Sequence, residues 1–253
     1  MSTATVAAPV RAGKRHPLAK IVRLHFVNRS QMIGVPLIIL GGTVVLCVLI
    51  MLILQAFVPV SPEELSEGSR HNQAALWCFA GYFVNLGVMA YARTMPFALG
   101  MGSTRRQYWW GTTAALTLES LFLATTMVVL LALERATGHW FTGARVFDVY
   151  VVGNGSYPDL FLMGFGISFS MLFTGTWFAS VYLRWSQLGV MSTVAGIVVA
   201  LLLGIAAVLW AGIDLVAALG PFSFAKLAAG IVAVGLLAAA GSWLVLHRAP
   251  VGR

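Results

Sequence analysis

The sequence predicts an all-α integral membrane protein of six transmembrane helices, with both termini on the cytoplasmic side. Hydrophobic residues make up 59% of the chain and charged residues only 9%, at a mean hydropathy of +0.88, which is far from the composition of a soluble domain. Six apolar stretches reach the roughly 20 residues that a helix needs to cross a hydrocarbon core of about 30 Å. Basic residues fall on alternate sides of these stretches, as the positive-inside rule requires.

The stretches run from Ile33 to Val58, Ala75 to Leu99, Trp109 to Leu133, Leu160 to Leu183, Leu188 to Ala211 and Ala225 to Leu246. They leave too little chain for a separate soluble domain. Residues 33–253 are therefore predicted to form a six-helix transmembrane domain with a short cytoplasmic C-terminus, and residues 1–32 a cytoplasmic tail. That tail is too long and too charged for a cleaved signal peptide, and Met1 to Lys14 reads as a disordered lead.

With the N-terminus inside, the cytoplasmic segments collect twelve basic residues and no acid: Arg11, Lys14, Arg15, Lys20, Arg23, Arg29, Arg93, Arg105, Arg106, Arg184, Arg248 and Arg253. The outer segments mix Arg70, Arg135, Arg145 and Lys226 with seven acids, among them Glu67, Glu134 and Asp148. The formal charge of +8 is thereby explained by topology and by attraction to anionic lipid, with no need for nucleic acid. Cys47 and Cys78 lie at different depths, so no disulfide is predicted between them.

Within the spans, small residues recur four apart: Gly164 and Ser168, Gly166 and Ser170, Gly175 and Ala179, and Gly196, Ala200 and Gly204. Such faces let helices approach closely in lipid, either within one bundle or between copies. Glu119 stands inside the third span, where a charged carboxylate costs on the order of 3 kcal/mol on insertion scales. It is either part of a translocation route or proton-linked site, or a structural group hydrogen-bonded to the second helix through Asn85 or the groups around Arg93. For a lone acid the structural role is the default.

On the outer side, "RVFDVYVVGNGSYP" within Thr137–Asp159 carries a β-branched run ahead of Asn154 and Gly155, a pattern for a short hairpin over the bundle, either a lid or, by default, a solvated loop. Gly212–Lys226 is apolar but too short to cross, and reads as a re-entrant or interfacial segment.

Several chemistries have no residues to carry them. The three lysines, Lys14, Lys20 and Lys226, do not complete a GxxxxGK[ST] phosphate loop. The five histidines are scattered one per segment without metal-ligand spacing, and no GxSxG elbow is present. The chain is read as a non-enzyme, with no cofactor of its own.

The most unusual connection is "MPFALGMGSTRRQYWWGT", Met95–Thr112. Pro96 should kink or stop the second helix, Gly100 and Gly102 permit helix-ending backbone angles, and "TRRQ" at Thr104–Gln107 forms a capping box that starts the third helix. A short element from Phe97 to Met101 is left between these breaks. Arg105 and Arg106 fall in the first turn of the third helix, where the macrodipole disfavours cations by roughly 0.3–1 kcal/mol. Either lipid phosphates and the aromatic belt of Tyr108, Trp109 and Trp110 compensate them, or a partner docks here.

This segment resembles the connection between the second and third helices of bacterial ATP-binding cassette permeases of the second type. Pro96, Phe97, Ala98, Leu99, Gly102, Thr104, Arg105, Arg106, Tyr108, Gly111 and Thr112 match, whereas Gly100 departs from the pattern. "RWSQLG", Arg184–Gly189, is similar to a second motif of that family, with Ser186 where a glycine is expected. The resemblance implies that Phe97, Ala98, Leu99, Gly102, Thr104, Arg105 and Arg106 form a coupling element seated in a cleft of a separate ATPase subunit, which binds ATP and Mg. It also implies a second permease copy and an amphipathic interfacial helix before the first span. Pro17 can open that helix, with Leu18, Ile21, Val22 and Phe26 on one side, Lys20 and Arg23 opposite, and Arg29 out of register.

The resulting expectation is the membrane subunit of an ATP-driven exporter. Arginine in excess over lysine, with much alanine, glycine and valine, points to a GC-rich bacterial genome and so to the bacterial inner membrane. The rivals are a self-contained ion-coupled or facilitative transporter using Glu119, and a non-transporting scaffold or immunity protein.

Overall fold

The computed structural model describes residues 17–212 and 220–247. The predicted lead and residues 213–219 of the expected re-entrant segment lie outside them. The described chain is helical and without strands. Its α-helices are α1 (Pro17–His25), α2 (Val35–Phe57), α3 (Pro62–Ser69), α4 (Ala74–Trp77), α5 (Ala80–Met89), α6 (Met95–Gly100), α7 (Arg105–Ala136), α8 (Tyr157–Trp210) and α9 (Phe224–Leu246). Among the described residues, five helical stretches are long and apolar enough to cross a membrane.

Two proline positions shape the entry to α2 and α6. Each helix is preceded by a π-helical turn, Ser30–Gly34 and Ala90–Thr94, and each carries its proline, Pro36 or Pro96, near its start. Widening the helix by one residue lets it pass a ring that clashes with an earlier carbonyl and offers no N–H. The expected kink or stop at Pro96 is therefore a π turn, and the helix continues through it. Val35 N–H bonds the Ser30 carbonyl, while the Gln31 carbonyl, five residues before Pro36, accepts the Tyr82 hydroxyl.

The predicted fourth and fifth spans are continuous in α8, whose 54 residues would extend about 81 Å if straight. The backbone breaks once, at Ser186, with φ 58° and ψ −157°. Before the break, α8 packs on α5, α7 and α9. The crossing with α5 is backbone on backbone: a Cβ on Gly87 would lie 2.1 Å from the Leu172 carbonyl oxygen, and one on Gly175 would lie 2.2 Å from that of Val84. After the break, residues 187–210 expose apolar side chains on most sides, and Gly196 and Gly204 meet nothing within 4 Å. Of the small-residue pairs, those in the first half of α8 are used within the chain and those in the second half are uncovered. Cys47 and Cys78 are free thiols.

The far end of α7 carries a folded cap in place of the expected hairpin or solvated loop. Glu134, at the last turn of α7, accepts the backbone N–H groups of Val146, Phe147 and Asp148 at 3.2, 2.8 and 3.2 Å, and the Trp140 indole at 3.3 Å. Those N–H groups are taken by a carboxylate and so have no strand to pair with. Asp148 gathers Arg145 at 2.8 Å, His139 at 3.3 Å, Arg70 at 3.6 Å and Arg135 at 3.9 Å, and Val146, Phe147, Val149 and Val152 bury into the main core. His139, Trp140 and Phe141 all hold positive φ, a left-handed turn costing roughly 1–2 kcal/mol per residue.

Ser186 occupies backbone space that glycine alone visits freely, at a cost of about 1–3 kcal/mol. Ser186→Gly is expected to raise the melting temperature of the purified protein in detergent. An unchanged or lowered Tm would mean that the break is not strained.

Candidate functional site

The Met95–Thr112 elbow is fixed at both ends by its own backbone. Helix α6 closes with Ser103 N–H on the Ala98 carbonyl at 3.1 Å and Gly102 N–H on the Leu99 carbonyl at 2.9 Å, with Gly102 at φ 84°. This is the Schellman arrangement, in which glycine adopts the left-handed position. Gly100, expected to share that role, stays inside α6. Helix α7 opens with the predicted capping box: Gln107 N–H bonds the Thr104 hydroxyl at 3.2 Å and Thr104 N–H bonds the Gln107 side chain at 3.1 Å.

Beneath the elbow lies a second buried cluster: Ile21, Ala90, Tyr91, Met95, Ala98, Tyr108, Ala179 and Leu246. The Tyr108 hydroxyl donates to the Ala90 carbonyl of the π turn, and its ring meets Tyr91 edge-on at 6.0 Å. Helix α1 closes the cluster from one side. Ile21 fills the notch over Gly111, where an added Cβ would lie 2.6 Å from it, and His25 Nε2 lies 3.0 Å from the Thr112 hydroxyl. From the other side, Arg105 Nη1 donates to the Leu246 carbonyl at 2.7 Å and Trp109 Nε1 donates to the Ser242 hydroxyl at 3.2 Å.

The seven sequence-predicted coupling residues divide accordingly. Phe97 is 57% exposed, and Gly102, Thr104 and Arg106 are exposed beside it. Ala98 is fully buried, Leu99 is half-buried, and Arg105 is half-buried with its guanidinium on α9. Met101, inside the predicted Phe97–Met101 element but not singled out among the seven, is 61% exposed and stands four residues after Phe97, which is the spacing of neighbours on one helical face. Arg106 makes no hydrogen bond or ion pair among the described residues. The elbow thus presents two large apolar side chains and a cation on a braced turn.

Glu119 is a separate feature, 0% exposed on α7 between Leu116 and Leu123 of the main core. Neither carboxyl oxygen has a hydrogen-bond partner among the described residues. The expected bond to Asn85 is not made; Asn85 is exposed on α5, as is Arg93 in the π turn. Other buried hydroxyls of the helices are satisfied by carbonyls, as in Thr43 to Ile39, Ser120 to Leu116, Ser168 to Gly164 and Ser180 to Thr176. Among the described residues, no group of three or more His, Cys, Asp or Glu is placed to hold a metal ion.

Burial lowers the His25 pKa from 6.5 to about 4. An unfolded or undocked ring takes its proton near 6.5 and the docked ring only near 4. Docking of α1 is therefore at full strength above pH 6.5 and weakens as the pH falls towards 4, by up to about 3 kcal/mol. Hydrogen exchange of Pro17–His25 should accelerate between pH 7.5 and pH 5 after correction for intrinsic rates. His25→Gln should flatten that dependence; an equal acceleration in the variant would assign it to another group.

No family model, characterised protein or solved structure matches the chain.

Proposed function

We propose that this protein is the membrane subunit of an ATP-driven exporter in the bacterial inner membrane, and that the exposed face of α6 seats a separate nucleotide-binding subunit. The observation that carries the reading is the elbow surface of Phe97, Met101 and Arg106. A large apolar pair on a rigid turn gains nothing from water, and a cation beside it suits a polar cleft on a partner. The partner holds ATP and Mg, since the chain lacks a phosphate loop of its own.

The finer topology belongs to the same reading. A helix of about 81 Å cannot lie within one crossing of a bilayer of about 30 Å, so the break at Ser186 divides α8 into a fourth and a fifth span. Six spans then place the N-terminus, the elbow and the C-terminus on the cytoplasmic side, where the basic residues collect. Helix α1 lies at the inner interface, with Ile21 and His25 inward and Lys20 and Arg23 exposed. A second permease copy packs against this one, and the uncovered face of Gly196, Ala200 and Gly204 is suited to that contact.

One observation favours a second reading, a self-contained ion-coupled transporter. It is the unpartnered Glu119 carboxyl, since intramembrane acids without structural partners commonly serve translocation. Glu119→Gln separates the two, because the exporter reading predicts that the variant assembles with its ATPase and stays active.

Affinity purification of the tagged chain from native membranes in mild detergent tests the first reading. A subunit carrying GxxxxGK[ST] and ATPase activity is expected to co-purify. Phe97→Asp with Arg106→Ala should reduce its recovery at least tenfold while leaving the amount of membrane-inserted chain unchanged. Recovery of the chain without an ATPase, or equal recovery with the double variant, would overturn the assignment.

A further inference from the structure

Arg105 poses a local contradiction. It sits in the first turn of α7, where its own helix dipole repels it, and its side chain is not turned out with Arg106 towards the exposed face. The contact it makes resolves the conflict. Its guanidinium donates to the carbonyl of Leu246 at 2.7 Å, the last residue of α9. That carbonyl is one of the final four without an intrahelical donor, at the end of α9 where the dipole attracts a cation.

The contact has a second rung. Trp109 lies four residues after Arg105 and Ser242 four before Leu246, so each pair shares one helical face. Trp109 Nε1 donates to the Ser242 hydroxyl at 3.2 Å, Ser242 donates in turn to the Ala239 carbonyl at 2.7 Å, and the Trp109 and Trp243 rings lie 5.4 Å apart. Elsewhere α9 packs along the first half of α8, with Gly235 against Phe169 and Gly241 against Trp177, and its contacts with α7 are few. The Leu246 side chain is fully buried in the same cluster as Ala98 of α6.

We propose that Arg105 is a positioning residue that straps the last turn of α9 to the elbow, so that a displacement of α6 is delivered to the final span. Arg106, Phe97 and Met101 meet the partner; Arg105 conveys their movement inward. The source of the movement rests on the function proposed above, whereas the strap is a property of this chain alone and is tested separately from it.

Hydrogen exchange on the purified chain in nanodiscs reads the strap without any partner. Arg105→Ala is expected to speed exchange of the amides at 243–247 about tenfold, Arg105→Lys to restore protection in part, and Arg106→Ala to leave it unchanged. Ser242→Ala, which removes the second rung together with the 3.5 Å contact of Ser242 with the Tyr91 hydroxyl but leaves the Arg105 bond, should produce an intermediate loss and gives a milder variant if Arg105→Ala folds poorly. With the co-purifying ATPase and a non-hydrolysable ATP analogue, wild type should show a nucleotide-dependent change at 243–247. Arg105→Ala should lose that change while keeping the ATPase bound, and Arg105→Lys should regain part of it. Wild-type protection of 243–247 in Arg105→Ala would overturn the strap. So would loss of ATPase binding with the last turn of α9 undisturbed, which would make Arg105 a docking residue. If no ATPase binds even to wild type, the proposed function fails while the measurement on the isolated chain still decides the strap.

Discussion

A bilayer interior offers no water to a backbone carbonyl, so each carbonyl that leaves the helical ladder has to find a donor within the protein. Prolines create this need near the starts of α2 and α6, and the helix answers with a π turn in both places. Tyr82 then donates to the Gln31 carbonyl, which Pro36 leaves without its ladder N–H, and Tyr108 adds a second donor to the Ala90 carbonyl, which already accepts the Met95 N–H. The second of these bonds ties the start of α7 to the turn before α6. With Tyr108 held there, Ala98 is buried beside it, Gly111 and Thr112 face α1, and Arg105 and Trp109 face α9. The elbow is therefore rigid because one phenol joins both of its arms.

That rigidity separates two jobs which the "TRR" residues seem to share when read along the chain. Arg105 compensates the end of another helix, and Arg106 is left to solvent beside Phe97 and Met101. Adjacent residues of a helix point about 100° apart, so inward bracing and outward display can sit side by side. A partner pressing on the outer face would act on a plate already joined to α1, α7 and α9. At the opposite end, the Glu134 and Asp148 cap ties the last turn of α7 to residues 145–148 and to Arg70, just past the end of α3, through buried carboxylates and backbone N–H groups. Motion delivered at the elbow would meet a stiff far end.

Much of this fold was legible in the sequence, for identifiable reasons. Hydropathy located the long helices because burial in lipid demands unbroken apolar runs. Gly102 and the Thr104–Gln107 pair announced themselves because helix ends are built from neighbouring residues. The π turns were hidden, since a proline signals trouble but not how the helix absorbs it. The cap was misread as a hairpin or loop because its organising group, Glu134, stands 12 to 14 residues before the N–H groups it binds. The Ser186 break was visible only as a serine where the resemblance expected glycine, and its positive φ gives that substitution a physical cost. At the elbow the sequence groups Phe97, Arg105 and Arg106 in one coupling element, whereas the structure leaves Phe97 and Arg106 exposed and turns Arg105 towards Leu246, an acceptor 141 residues away that no local pattern reveals.

The central claim is that the exposed face of α6 is seated in a nucleotide-hydrolysing subunit. A benzophenone photo-crosslinker placed at position 97 in native membranes tests this most directly, with the adduct identified by mass spectrometry. The account predicts a single major protein adduct to a subunit bearing the GxxxxGK[ST] loop. Adducts formed only with lipid, or only with this chain itself, would contradict it.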